Sequence, residues 1–423
     1  MKFLGQHSKM NSVSMACIVG GNWSNTSNAG PFCVNLNNNR TNSNNNTGGR
    51  DCNPKPETTN GRNWNIGVCC PVISEINFNR SFSSKNIESQ TSKKVGYLFE
   101  KAFTKENLYL AFLDARKGKR KKRATLNFEK NLGANIEELY IELHENNYRP
   151  RPYSQFMVYE PKPRIINAPA FRDLVVQHAI YRVIYPIFDK TFIHTSFACR
   201  KGGGTHKASS YTQVQMKKYS GELYFLKLDI RKFFYSIDRT ILRKLFEKKI
   251  KDRKFVDVMC MFTQMNGDVG IPIGNLLSQL YALIYMNPVD QYIKRELKVK
   301  SYVRYVDDFV LIGLSLEEAK DFKRKIESFV KEKLNLELSH WHIQKIKRGI
   351  NFVGYRTWKR IKFVRKHSMY KMKKAIKKMK LESIISLIGH AVKTATMKYY
   401  RKLLIEFSIL NLLPIRSQKC LFM

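Results

Sequence analysis

The chain has 423 residues, and its 75 Lys and Arg against 34 Asp and Glu give a formal net charge of +41. An imbalance of that size excludes the near-neutral surface of most small domains and favours a polyanionic partner. The length allows about two to four domains, and neither an apolar leader nor a run of about 18 apolar residues suggests a membrane segment.

Residues 20–65 stand apart, with 11 asparagines between Asn22 and Asn46. Asparagine and glycine favour turns over helices and strands, so this part reads as poorly ordered or as an irregular surface layer. "GRNWNIGVCC" at 61–70 weakly echoes "GGNWSN". A globular pattern starts near 76. Residues 96–115 read as one or two amphipathic helices. "RKGKRKKR" at 116–123 is either a solvated charge run or a contact for a phosphate backbone. Residues 125–145 read as another helix, with Ile136, Leu139 and Leu143 on one face.

"YEPKPRIINAP" at 159–169 reads as a strand with proline turns, and 171–189 as a helix. "FACRKGGGTHKA" at 197–208 is a basic glycine-rich loop entering a helix, without the order of a Walker loop. "GELYFLKLDIRKFFYSID" at 221–238 holds an apolar strand ending at Asp229. Residues 279–295 read as a helix bent at Pro288. "SYVRYVDDFVLIG" at 301–313 reads as strand–turn–strand with its turn at Asp307–Asp308, and 349–364 as a further strand pair. From Leu338 through Leu381, 44 residues hold 15 Lys or Arg and no acid. Met369, Met372, Ile376 and Met379 recur there at helical spacing and read as the core of a small helical domain, its lysines facing nucleic acid. The eight cysteines show neither CxxC nor zinc spacing, which fits a reducing cytoplasm.

Carboxylates beside apolar strands are costly unless something compensates them. If the strands ending at Asp229 and flanking Asp307 and Asp308 are neighbours, three carboxylates converge and call for divalent cations. Magnesium suits carboxylate oxygens, water and substrate phosphates. Two such ions about 3.5–4 Å apart activate an attacking hydroxyl and stabilise a leaving pyrophosphate. By pattern alone, an ordinary turn with two aspartates is an equal reading.

"YVDDF" at 305–309 resembles the signature of reverse transcriptases. "PKPRIINAP", "FRDLVVQHAI", "LDIRKFFYSI", "GIPIGNLLSQ" and "GINFVGY" resemble the other blocks of bacterial retroelement enzymes, in order over roughly 96–400. The resemblance implies an α+β right hand: fingers at 76–225, a palm at 226–362 with an inserted fingers segment near 251–275, and a basic helical thumb at 363–423. Its palm is an antiparallel sheet on helices, and 1–75 is an N-terminal extension. The implied reaction is attack of a primer 3′-OH on the α-phosphate of a dNTP, templated by RNA, with two Mg2+ ions or Mn2+ in their place.

Many relatives have proline after the serine of the "GxxxSP" block, where this chain has Gln279. "IGNLLSQ" resembles the version in diversity-generating retroelements, which copy a template-repeat RNA with errors opposite adenine. "NWSNTSNAGPFCVNLNNN" resembles a translated template repeat. That family implies a structured template-repeat RNA, a cDNA/RNA duplex and a small basic multimeric accessory protein as partners, and a cytoplasmic setting of bacterial, phage or prophage origin.

Residue by residue, Asp229, Asp307 and Asp308 match the family aspartates, with Asp229 and Asp307 the principal metal ligands and the Ile230 carbonyl a geometric candidate. Phe234 matches the steric gate against a ribose 2′-OH, Phe233 is the likelier core ring, and the amides of Lys232 to Phe234 hold the triphosphate. Lys162 and Arg164 match the fingers residues that grip it. Gly274, Ser278 and Gln279 lie at the templating base and nascent pair. Arg172, Arg200, Lys201, Arg348, Lys359, Arg360, Lys373 and Lys377 are nucleic-acid contacts. The family's lysine before "GxxFxGY" is missing; Ser339 and His340 fall near its place, making His340 a candidate general acid and a packing histidine alike. Gly389, Ala391 and Ala395 admit either a primer duplex or a neighbouring helix. The rival readings are a faithful intron-type or defence-associated enzyme and an RNA-binding protein without catalysis.

Overall fold

The computed structural model describes residues 94–159 and 163–422. The asparagine-rich stretch, the expected start of the globular pattern at 76, and Lys162 lie outside the described residues. Helices α1 (Leu98–Ala102) and α2 (Lys105–Ala115) meet at Thr104, whose hydroxyl accepts from Asn107 N at 3.0 Å and caps α2. The single helix expected over 125–145 is two, α3 (Arg123–Lys130) and α4 (Leu132–His144). The chain breaks at Asn131, whose φ of −118° and ψ of 45° fit neither helix. The anticipated face survives, with Ile136, Leu139 and Leu143 buried.

The expected strand at 159–169 is the second arm of a hairpin, β1 (Ser154–Val158) and β2 (Arg164–Ala168), paired antiparallel from Ser154↔Ala168 to Val158↔Arg164. Helix α5 (Phe171–Asp189) is buried along most of its length and packs on α2. The basic glycine-rich loop then enters α6 (Thr205–Lys217). Strand β3 (Tyr224–Ile230) leads through α7 (Phe233–Ser236) to α8 (Arg239–Glu247) and α9 (Arg253–Met261). Helix α9 returns to the N-terminal helices: Asp252 caps it and accepts from Phe99 N at 2.8 Å, and Lys254 Nζ donates to His144 O at 3.1 Å.

Helix α10 (Leu276–Gln291) starts three residues earlier than periodicity suggests, because Asn275 caps it by accepting from Leu277 N. Its C-terminal end, beyond Pro288, runs into a π turn at Tyr292–Glu296. Then follow β4 (Ser301–Tyr305), β5 (Asp308–Leu314), α11 (Leu316–Leu334) and β6 (Leu338–Lys345). The central sheet has the order β4-β5-β3-β6, antiparallel throughout, with α6 and α11 packed on it. β3 and β5 are the inner strands, and their apolar runs (Phe225, Leu226, Leu228; Phe309 to Ile312) form the core.

The strand pair expected over 349–364 is a three-stranded sheet, β7 (Ile350–Phe352), β8 (Tyr355–Thr357) and β9 (Lys362–Val364). A helical unit closes the chain: α12 (Lys366–Lys377), α13 (Leu381–Ala391), α14 (Thr396–Glu406) and α15 (Ile415–Phe422). Met372 and Ile376 enter its core, but Met379 lies past the end of α12 at φ +48° and is 54% exposed, so the apolar stripe stops one residue short. Among the described residues no helix is long and apolar enough to cross a membrane.

Candidate active site

Strand pairing brings the three aspartates together. Asp229 near the end of β3 is directly opposite Asp308 at the start of β5. Tyr305 pairs with Asp308, so the hairpin loop is Val306–Asp307, one residue earlier than the sequence suggests. Val306 sits at φ +58°. That is a costly backbone for a β-branched residue, and strain of this kind gathers at functional sites. Side chains alternate along a strand, so Lys227 and Asp229 share one face with Asp308 and with His340 and His342, their partners on β6.

Each carboxylate has its own surroundings. Ser339 occupies a register shift in β6 and donates its hydroxyl to Asp229 Oδ2 at 2.7 Å. Lys227 Nζ lies 2.9 Å from Asp308 Oδ2, while Asp308 Oδ1 is buried with no hydrogen-bond partner among the described residues. Burial, then the charges of Asp229 and Asp308, push the Asp307 carboxyl up to about 7, against a pull from Arg164. Burial also raises Asp308, to about 6, although Lys227 pulls it down. Three acids held in one place, two of them with raised pKa values and one with an orphaned oxygen, are a donor set suited to a hard divalent cation. Among the described residues no three His, Cys, Asp or Glu side chains form a ready-made cage, in keeping with Asp308 turned toward Lys227. The residues that fit a cation best are therefore Asp229 and Asp307, with Asp308 adjacent.

Around this centre, Lys232 at φ +44° turns the chain from β3 into α7. Phe233 and Phe234 are both buried and meet edge to face at 5.6 Å. Ile230, the last residue of β3, keeps its side chain in the core. Gly274, at φ +105°, lies under β2: a Cβ there would stand 2.6 Å from Ile166 Cγ2. Ser278 is buried, its hydroxyl without a partner among the described residues, and this places it inside the first turn of α10 rather than at an open surface. Gln279 follows it, half-buried. His340 is exposed on edge strand β6, opposite Asp229.

Two of the expected nucleic-acid contacts have protein partners. Arg172 forms an ion pair with Glu142 and lies over the Tyr148 ring. Arg200 binds Asp189 at 2.7 Å and the Ile193 carbonyl at 2.6 Å, tying the glycine-rich loop to α5. Lys201, Arg348, Arg360, Lys373 and Lys377 are exposed, while Lys359 Nζ donates to Tyr219 O at 2.5 Å. Of Gly389, Ala391 and Ala395, Ala391 is fully buried, while the Gly389 carbonyl accepts from His206 at 3.0 Å and Ala395 N donates to Lys362 O.

The roles of Lys227, Arg304 and Asp290 were not expected from the sequence, and Ser339, placed there only near the missing lysine's position, proves to be the donor to Asp229. Arg304 and Asp290 are both fully buried and joined at 2.5 Å, which neither local pattern announces. Lys227 stood in plain view two residues before Asp229, the spacing that puts two side chains on one strand face.

The family model described as reverse transcriptase (RNA-dependent DNA polymerase) matches residues 159–357, which include all three aspartates. Protein YkfC of Escherichia coli K12 is 25% identical over 295 residues, covering 56% of this chain and 74% of that protein. The group II intron-encoded protein LtrA of Lactococcus lactis is 23% identical over 278 residues, covering 48% of this chain and 46% of that protein, so the chain spans less than half its length. Among solved structures, a telomerase chain of Candida albicans aligns at a TM-score of 0.39 and 13% identity, covering 62% of this chain and 55% of that one. With its aspartates inside the matched segment, the chain is similar to reverse transcriptases over residues 159–357 and to an intron-encoded protein over about half its length.

Proposed function

We propose that the chain is an RNA-directed DNA polymerase whose Asp229 and Asp307 hold two magnesium ions. The observation that carries this reading is the meeting of Asp229, Asp307 and Asp308 at one end of the β3–β5 pair, in a chain of net charge +41. Bound there, magnesium lowers the pKa of a primer 3′-OH and neutralises charge on the triphosphate. Asp229, fixed by Ser339, and Asp307, fixed by its turn, position that hydroxyl against the α-phosphate. Arg164, whose charge is felt at Asp307, clamps the dNTP phosphates together with Lys162. Phe234 excludes a ribose 2′-OH, and His340 on the same sheet face is the candidate proton donor to pyrophosphate. The exposed lysines of α12 run along the template–primer duplex. Extension of a DNA primer on an RNA template, with Asp307→Asn as the blank, tests the reading.

Within that activity, Gln279 and the asparagine-rich stretch favour the finer reading of a diversity-generating enzyme. It would copy a structured template-repeat RNA with errors at adenine, assisted by a small basic multimeric protein. The likeness to intron-encoded proteins favours faithful copying instead. Sequencing of the cDNA separates the two. Errors gathered at template adenines support the first, and an even, low error rate supports the second.

A further inference from the structure

The Val306–Asp307 loop needs something to hold it. A two-residue hairpin loop with a left-handed first position ordinarily has glycine there. Here the position is Val306 at φ +58°, and its carbonyl accepts from Arg304 Nη1 at 2.8 Å. The same guanidinium grips Asp290 with two further bonds, Nε to Oδ1 at 2.7 Å and Nη2 to Oδ2 at 2.5 Å. Tyr302 completes the group by donating to Asp290 Oδ1 at 2.7 Å. Both charged side chains are 0% exposed.

A fully buried ion pair is a poor device for stability alone, since well-packed apolar side chains often serve as well or better. What a planar guanidinium adds is direction. Arg304 has its backbone pinned too: its N donates to Thr195 O at 3.0 Å and its carbonyl accepts from Phe197 N at 3.1 Å. Its side chain therefore connects a fixed strand to the one carbonyl that must stay put if Asp307 is to keep its aim. Asp290 supplies the other anchor from α10, past Pro288 and just before the π turn. The N-terminal turn of that helix carries Ser278 and Gln279. One helix thus connects the segment expected at the nascent pair to the turn that aims Asp307.

We propose that Arg304, braced by Asp290 and Tyr302, is a positioning residue that holds the strained Val306 turn so that Asp307 presents its carboxylate to the metal ions. The proposal rests on the polymerase reading of the site, and its test separates the two. Mn2+ binding is followed by electron paramagnetic resonance in wild type, Arg304→Lys, Tyr302→Phe, Val306→Gly and the Arg304→Lys/Val306→Gly double variant, alongside single-nucleotide extension. Arg304→Lys keeps the charge but loses the fork. It is expected to weaken Mn2+ about tenfold or more, the usual effect of removing support behind a metal ligand. It should lower kcat while the dNTP KM stays near wild type. Tyr302→Phe, which leaves the ion pair in place, should show the same effects at smaller size, and it serves if Arg304→Lys does not fold. Because Arg304→Lys and Val306→Gly act through one turn, their effects on Mn2+ affinity should fail to multiply in the Arg304→Lys/Val306→Gly double variant. Wild-type Mn2+ affinity in folded Arg304→Lys or Tyr302→Phe, or independent effects in the double variant, would overturn the proposal. A wild-type chain that binds Mn2+ but gives no Asp307-dependent extension would defeat the polymerase reading instead, and the affinity comparison would still decide the role of Arg304.

Discussion

Replacing Asp307 with asparagine should make the metal-free protein more stable while destroying its activity. Burial and the neighbouring Asp229 and Asp308 hold the Asp307 carboxyl at about 7 against an ordinary 3.8. A raised folded-state pKa means that the folded chain binds its proton more tightly than the unfolded chain. The resulting stability is complete below 3.8 and is lost as pH rises through 7. At about 1.4 kcal/mol per pH unit, the ionised carboxyl costs the folded state on the order of 4 kcal/mol at pH 8. Asparagine removes that cost. For an ordered region of this size the gain corresponds to roughly 5 °C in Tm. At about pH 5 it should shrink to roughly a third, because the folded carboxyl is then protonated and only part of the linkage has developed. Differential scanning calorimetry in chelator at the two pH values measures both. Magnesium should raise the Tm of wild type at pH 8 and leave the variant nearly unmoved. An Asp307→Asn protein that melts at or below wild type at pH 8 without metal would refute the electrostatic account of the site.

Three further outcomes follow from the geometry. Gly274→Ala meets both a left-handed backbone at φ +105° and Ile166 Cγ2 at 2.6 Å; it should cost about 2 kcal/mol or more in chemical denaturation and weaken dNTP use, while Gly133→Ala, with open space around its Cβ, should do neither. Ser339→Ala removes the hydroxyl that donates to Asp229 at 2.7 Å, a bond of about 1 kcal/mol, so kcat for extension should fall about fivefold with the fold unchanged. Phe234→Ala should raise ribonucleotide incorporation relative to deoxynucleotide by about tenfold or more in competition assays; an unchanged ratio would leave Phe234 as a core residue beside Phe233.

Much of this arrangement was legible in the chain because it is local. The apolar run ending at Asp229 and the alternation around Asp307 and Asp308 specify strands by period, and the order of motifs implied that they pair. What the sequence concealed depends on distance or on a single residue. The hairpin loop falls on Val306 rather than Asp308, because pairing of Tyr305 with Asp308 outweighs the reluctance of valine to take a left-handed backbone. The register shift that brings Ser339 to Asp229 breaks the simple alternation of β6. Asp290 sits in an apolar helix, where periodicity predicts only packing; its partner is 14 residues on, across a π turn and a strand start. Arg172 and Arg200 read as basic surface because their acidic partners, Glu142 and Asp189, lie on other elements.

The most direct measurement is incorporation of a single radiolabelled dNTP onto a DNA primer annealed to a defined RNA template, in magnesium, for wild type, Asp229→Asn and Asp307→Asn. The account predicts incorporation of the template-directed nucleotide by wild type, loss in chelator, and loss by about a thousandfold in either variant. Incorporation that persists in Asp307→Asn, or a wild-type chain that binds the duplex and adds nothing, would contradict it.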